Sequence, residues 1–256
     1  MSFAQDKAFM QTVHPEVAIG GFTAHDGTIE FYSRVKTLLR PDMTVLDFGA
    51  GRGAWYEDEE SPFRRDMRLL RGHAREVIGC DVDPAVQANR SVDRGVVLEP
   101  GRPIPLADGS VDLIVSDYVL EHVQDAAGLA REFTRILKPG GWICARTPTR
   151  MNYVALAARV VANVRHASVL RLAQPGRKAE DVFPTAYQLN TRAALARHFP
   201  ASLYENYSYI YCFEPQYHFR RTAVYRFFRL VHWLLPPSLQ GNLYIFLRRR
   251  APGTDS

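Results

Sequence analysis

This sequence predicts a doubly wound α/β fold on a mostly parallel sheet, and three observations carry that prediction. Short apolar runs alternate with helical patterns from Met43 to Trp142. The first run, Val45-Leu46-Asp47-Phe48, leads straight into the closely spaced glycines Gly49, Gly51 and Gly53. The second, Glu76-Val77-Ile78-Gly79-Cys80-Asp81, ends on a carboxylate one strand-and-helix unit later. Strands separated by helices build crossover units of one hand, and these close into a parallel sheet.

Taken in order, residues 1–42 read as an N-terminal lid with a helix starting near Thr28, with Asp26 as its N-cap. Strands follow at 45–48, 76–81, 95–98 and 111–116. A helix marked by Leu129, Phe133, Ile136 and Leu137 comes next, and the break Lys138-Pro139-Gly140-Gly141 precedes a fifth strand at 142–146. Val154, Ala157, Ala158, Val161 and Val164 mark a helix from about Asn152, which Gln174-Pro175-Gly176-Arg177-Lys178 interrupts. Thr191 suits the N-cap of a helix through Arg197. Segments 203–213 and 242–248 read as two more strands, making seven, with the last antiparallel to its neighbours. Between them a basic, aromatic helix spans Thr222 to Leu235 and stops at Pro236-Pro237. No linker separates these parts. The expectation is a single domain over 1–256, with a core at 43–148 and a substrate cover at 149–256.

Composition narrows the function. The chain is 46% hydrophobic and 23% charged, which is ordinary globular chemistry. No apolar run reaches the roughly 20 residues that span a bilayer, and MSFAQDKAFM does not read as a signal peptide. Cys80, Cys144 and Cys212 match no metal or disulfide spacing and read as buried free thiols, which suits a cytoplasmic location. No metal constellation is expected. The net charge of +5 is uneven: residues 1–150 hold 18 Lys+Arg against 22 Asp+Glu, whereas 151–256 hold 14 against 5. A uniformly basic chain would suggest nucleic-acid binding. This one suggests a near-neutral cofactor module joined to a basic part, so nucleic acid is not the expected partner.

The glycine loop lets the backbone turn tightly and lets a ligand approach with no Cβ in the way, and the helix after it adds a positive dipole end. Asp47 can organise that loop or accept from an ammonium group. Asp81 can accept from both hydroxyls of a ribose. Gly49, Gly51 and Ala54 also satisfy the dinucleotide pattern, so the loop by itself is ambiguous.

Asp47 to Gly53 resembles the first motif of class I S-adenosylmethionine-dependent methyltransferases, and Val77 to Asp81 resembles their second-strand acidic motif. Pro105 to Asp112 is similar to the stretch that leads into their fourth strand. Leu120-Glu121-His122-Val123 and Leu137-Lys138-Pro139-Gly140-Gly141 resemble two further blocks. Five ordered blocks across about 43–148 set the chain apart from NAD enzymes. The resemblance implies a Rossmann-like fold with S-adenosyl-L-methionine as cofactor. It implies that the loop at Gly49 and Gly51 meets the methionine part and that Asp81, with Val82 beside it, holds the ribose. Asp117 and Tyr118 would line the methionine end. Leu98-Glu99-Pro100-Gly101-Arg102 departs from the family pattern, so no adenine contact is assigned.

Methyl transfer from a sulfonium needs mainly alignment, and an oxygen or nitrogen acceptor also needs a base. His122 lies within a family-like block, on an expected helix where structural hydrogen bonding is its expected role. His25 reads as solvated beside an N-cap, though residues before the first strand often form a lid in this family. Tyr187 and Glu180-Asp181 are weaker candidates, so no catalytic residue is named. The leading expectation is O-methylation of a small molecule, saccharide or lipid-linked glycan, the last because Glu180 to Thr185 loosely resembles enzymes of surface polysaccharides. The alternatives are an RNA methyltransferase and a non-catalytic cofactor-binding partner protein. On the helix 222–235, Val224, Phe227, Phe228, Val231, Leu234 and Leu235 form an apolar face. The plain reading packs that face on the sheet; the functional reading lays it on an anionic membrane, peripherally at the inner face.

Overall fold

The computed structural model describes residues 3–150, 185–212, 220–251 and 253. They fall into two compact units. The larger comprises Thr28–Thr147, Thr185–Tyr209 and the chain from Leu243; the smaller comprises 3–27, 148–150, 210–212 and 220–242. The expected helix from Asn152, its break at 174–178 and the Glu180-Asp181 pair lie outside the described residues.

The larger unit is built on a sheet whose first five strands are β1 (Thr44–Phe48), β2 (Glu76–Asp81), β3 (Arg94–Val97), β4 (Val111–Asp117) and β5 (Leu137–Pro148). β6 (Tyr204–Asn206), β7 (Tyr209–Tyr211) and β8 (Asn242–Arg249) complete it. Their order is β3-β2-β1-β4-β5-β8-β6, with β7 also on β8. The first five pair in parallel. Val45, Leu46, Leu113, Ile114, Ile143 and Cys144 are all buried, because strands covered on both faces need apolar residues on both. Order reverses at β1, where β2 and β4 flank it, and ligands of such sheets bind outside the strand ends at that reversal.

β8 runs antiparallel to β6, as expected of the last strand. It lies beside β5 in the same opposed sense: Arg249 at its end donates to the Leu137 carbonyl where β5 begins, and Thr149 just past β5 donates to the Gly241 carbonyl. The sheet has eight strands among the described residues rather than seven, since residues 203–212 hold two short strands. Asn206 accepts from the Ser208 amide at 2.9 Å, a side-chain turn that interrupts the ladder before Tyr209 resumes it.

Three further expectations need correction. Lys138-Pro139-Gly140-Gly141 does not break the chain before β5. It lies within β5 as a bulge, the register jumping from Val111–Leu137 to Leu113–Trp142. Leu120-Glu121-His122 forms a single 3₁₀ turn rather than part of a helix. The helix after the glycine loop, α3 (Ala54–Asp58), is one turn long, so its dipole adds little. The other helices preceding the bulge are α1 (Phe3–Val13), α2 (Gly27–Leu38), α4 (Pro62–Arg68) and α5 (Ala126–Ile136). After it come α6 (Arg192–His198), α7 (Thr222–Leu234) and α8 (Pro237–Gln240). Thr191 caps α6, as its sequence predicts, by accepting from the Ala194 amide at 3.1 Å.

In the smaller unit, α7 packs Tyr225 edge-on against Phe9, and the Tyr225 hydroxyl bonds to His14. Tyr225 and His232 define its buried side, with Val224, Phe228, Val231 and Leu235 half-buried. The expected apolar face is thus divided: Phe227 and Leu234 turn outward with Leu230 and Trp233, all at least half exposed.

Candidate functional site

The glycine loop leaves β1 with Gly49, Gly51 and Gly53 at φ 80, 52 and 69°. It is tied to β2 by the Gly49 and Ala50 amides, both donating to the Cys80 carbonyl at 2.7 and 3.2 Å. Asn89 grips it from outside, its side-chain amide donating to the Ala50 and Gly51 carbonyls at 3.0 and 3.1 Å. A Cβ on Gly49 would stand 2.1 Å from the Val119 side chain, which makes glycine obligatory there. At Gly51 a Cβ would meet only the Asp81 carboxylate, at 3.9 Å, so that face of the loop is an open cradle.

Asp81, at the end of β2, accepts from the Gly51 amide at 2.8 Å with one oxygen and from the Asp83 amide at 2.9 Å with the other. Its carboxylate is therefore oriented toward the cradle, with lone pairs to spare. Val82 follows and is half exposed.

Asp47 and Asp117 share this strand-end region but live in different environments. No hydrogen bond from a described residue reaches the Asp47 carboxylate. Burial raises its pKa to about 7; Arg68 draws it down, while Asp117 and Asp81 push it up. Asp117 is saturated. Arg146 donates to its two oxygens at 2.5 and 2.9 Å, and the Tyr32 hydroxyl and Arg68 add contacts at 3.1 Å. Burial opposes its ionisation, but the Arg146 and Arg68 guanidinium groups and these hydrogen bonds hold its pKa below the usual value. Arg146 is 4% exposed and lies within 6 Å of the Phe31, Tyr32 and Tyr118 rings. Arg68 stacks 4.3 Å over Trp55.

The Asp47 shift has a testable sign. Between about pH 4 and 7 the folded protein holds a proton that the unfolded chain has released, so stability falls as pH rises through that window. Melting temperatures measured across the window should decline in the native protein and decline less in Asp47→Asn. Equal slopes would place the responsible proton elsewhere.

A second cluster lies just beyond β4. Glu121 is buried, and burial raises its pKa although its carboxylate accepts from the Thr147 hydroxyl at 2.8 Å. Asn190 donates to the same hydroxyl at 2.6 Å. The Glu121 carbonyl accepts from the amides of Ala186 and Tyr187. Tyr118 and Tyr187, on either side of this point, both have left-handed backbones, at φ 58 and 52°. Such strain, of order 1–3 kcal/mol per residue, collects at ligand sites.

The structure therefore brings Asp47, Gly49, Gly51, Asp81, Val82 and Asp117 to one end of the sheet. Sequence reasoning missed Arg146, Arg68, Tyr32 and Asn89, which hold that end together. Only Arg146, a charge closing an otherwise apolar strand, left a readable signal. His122 closes the 3₁₀ turn. His25 lies in the smaller unit and is exposed. Tyr187 belongs to the Glu121 cluster, and among the described residues no cluster of three potential metal ligands occurs.

Known proteins resemble this chain in sequence and in fold. Residues 25–199 match a family model described as a methyltransferase domain. A protein of Mycolicibacterium smegmatis named as a probable S-adenosylmethionine-dependent methyltransferase is 39% identical over 112 residues, 43% of this chain and 39% of that protein. A similarly named protein of Mycobacterium tuberculosis is 37% identical over 112 residues, 43% and 37% of the two chains. The match thus spans about two fifths of the length of these relatives. Among solved structures, geranyl diphosphate C-methyltransferase from Streptomyces coelicolor, in complex with S-adenosyl-L-homocysteine, aligns at a TM-score of 0.51 and 17% identity, covering 87% of this chain and 77% of that one. The [4+2]-cyclase SpnF aligns at 0.52 and 14% identity, covering 96% and 95%. At such identities the likeness is one of fold, and a fold of this kind hosts more than one chemistry.

Proposed function

Because the chain belongs to the S-adenosylmethionine-dependent methyltransferases, we propose that it methylates an oxygen of a saccharide or lipid-linked glycan presented at an anionic membrane surface. The outward side of α7 carries this reading. Phe227, Leu230, Trp233 and Leu234 are 53–79% exposed, and Arg226 and Arg229 lie among them. The helix contains no acidic residue, nor does any position from Pro215 to Thr254. Apolar side chains interleaved with arginines suit the boundary between lipid headgroups and acyl chains. No helix of the described residues is long and apolar enough to cross a membrane, so contact would be peripheral.

The cofactor, when bound, supplies an activated methyl group on a positive sulfur. The residues present fit it. Asp47 is a carboxylate with no hydrogen-bond donor among the described residues, suited to an ammonium group, and its raised pKa means that a cation there would favour the ionised form. The Gly51 cradle faces Asp81, whose spare lone pairs suit ribose hydroxyls. Val82 would flank that sugar. Asp117 would act through position, fixing Arg146, Arg68 and Tyr32 around the methionine end rather than touching the ligand. Glu121 lies just beyond the end of β4, with Tyr187 donating its amide to the Glu121 carbonyl, and Glu121, with its raised pKa, is suited to hold a proton taken from a hydroxyl.

Two measurements test this. Sedimentation with phosphatidylcholine vesicles, with and without phosphatidylglycerol, should pull down the protein only when the anionic lipid is present. Each arginine near such a surface contributes about 1 kcal/mol. Trp233→Ser with Leu230→Ser should release it. A native protein that stays in the supernatant at low salt overturns the membrane part. Methyl-labelled cofactor offered with a bacterial lipid extract or with bulk RNA should place label in the lipid-saccharide fraction; label in RNA overturns the acceptor class.

A further inference from the structure

The end of the sheet opposite the glycine loop carries a second cleft, of about 770 Å³, within the larger unit. Asp108 and Gly109, just before β4, and Pro139, early in β5, place it at the N-terminal ends of the parallel strands. Arg249, at the far end of the antiparallel β8, reaches the same pole. The length of β4 alone separates it from the cofactor loop by roughly 20 Å, so no ligand there can meet the methyl donor.

Its shape follows from α5. Ala127, Ala130, Arg131 and Thr134 recur at i, i+3, i+4 and i+7 and share one face. Three small side chains leave a hollow beside the arginine. Across from them α6 ends in Arg197 and His198, which also line the cleft.

The charge in this hollow is one-sided. Arg135 is satisfied, all five of its N–H groups being used by Glu132, Asp108 and the carbonyls of Leu106 and Ile104. Arg131, Arg197 and Arg249 have no carboxylate within 4 Å among the described residues, and the one acid of the lining, Asp108, is taken by Arg135. Guanidinium forks match phosphate oxygens in geometry.

We propose that this cleft binds a compact oligophosphate, the diphosphate or triphosphate part of a small ligand such as a nucleotide. A volume of about 770 Å³ suits a ligand of that size and far exceeds a single phosphate. The surroundings disfavour an extended polyanion. Residues 1–150, which supply α5 and the strand ends, carry more Asp+Glu than Lys+Arg. The site does not depend on the acceptor proposed above.

Titration calorimetry of the full chain with tripolyphosphate tests it, with sodium sulfate at equal ionic strength as control. Tripolyphosphate should bind and sulfate should not. Arg131→Ala combined with Arg197→Ala should weaken tripolyphosphate at least tenfold, since each arginine supplies charge-assisted bonds. Both side chains are exposed, so the fold should survive, and unchanged S-adenosylhomocysteine binding by the double variant will verify it. Three results overturn the proposal: no heat above the sulfate control, equal affinity in the double variant, or tighter binding of a single-stranded RNA that competes with tripolyphosphate.

Discussion

Arg146→Ala should destabilise the protein by about 3–5 kcal/mol, the cost of leaving a buried charge without its partner. Arg146 supplies two of the four contacts to Asp117 and is itself almost wholly inaccessible. The pair also carries cation–π contacts to three rings, which alanine would forfeit. Denaturant unfolding measures the loss directly. Asp117→Asn in the Arg146→Ala background should recover part of it, because a neutral amide tolerates the site better than an orphaned carboxylate. A loss below about 1 kcal/mol, typical of surface pairs, would show that solvent reaches the pair.

The second large effect is on ligand affinity. Asp81→Ala should weaken S-adenosylhomocysteine binding by about 1.5–3 kcal/mol, the worth of a charged acceptor for hydroxyl groups, or roughly 10–150-fold in Kd. The carboxylate also accepts from the Gly51 and Asp83 amides, so its removal loosens the loop as well. Asp81→Asn keeps an acceptor oxygen and should fall between the native protein and the alanine variant. Calorimetry with NAD in parallel is expected to show no useful binding. NAD bound as tightly as S-adenosylhomocysteine would remove the basis for reading Asp81 as this cofactor's ribose partner.

The parallel half of the fold was legible because each of its strands is a closed apolar run with a turn signal at its end. The loop from Asp47 to Gly53 was legible because positive φ demands glycine, and that demand is visible in sequence. What escaped was long-range. Asn89 grips Ala50 and Gly51 from 38 or 39 positions away, and Tyr32 reaches Asp117 across 85. No local period encodes such pairs. The bulge in β5 was misread for a related reason: Pro139 and Gly140 look like a stop, yet β4 continues alongside and holds the strand in register beyond them. On α7 the periodicity was real, but six apolar positions spread over too wide an arc to name the buried side. Tyr225 and His232, which that apolar set does not contain, are the residues that mark it.

The placement of β8 bears on how the chain is made. It is the last of the described strands in sequence, yet it lies between β5 and β6 in the sheet. As the polypeptide grows from its N-terminus, the apolar edge of β5 lacks its described partner until Asn242–Arg249 leaves the ribosome, and β6, whose partner among the described strands is β8, has nowhere to dock until then. Unpaired edges of that kind invite association with other chains, and closing such distant contacts is slow. A nascent chain stalled shortly before Asn242 would carry an open sheet edge and should be the species that chaperones hold, whereas a stall after Arg249 would leave a closed one.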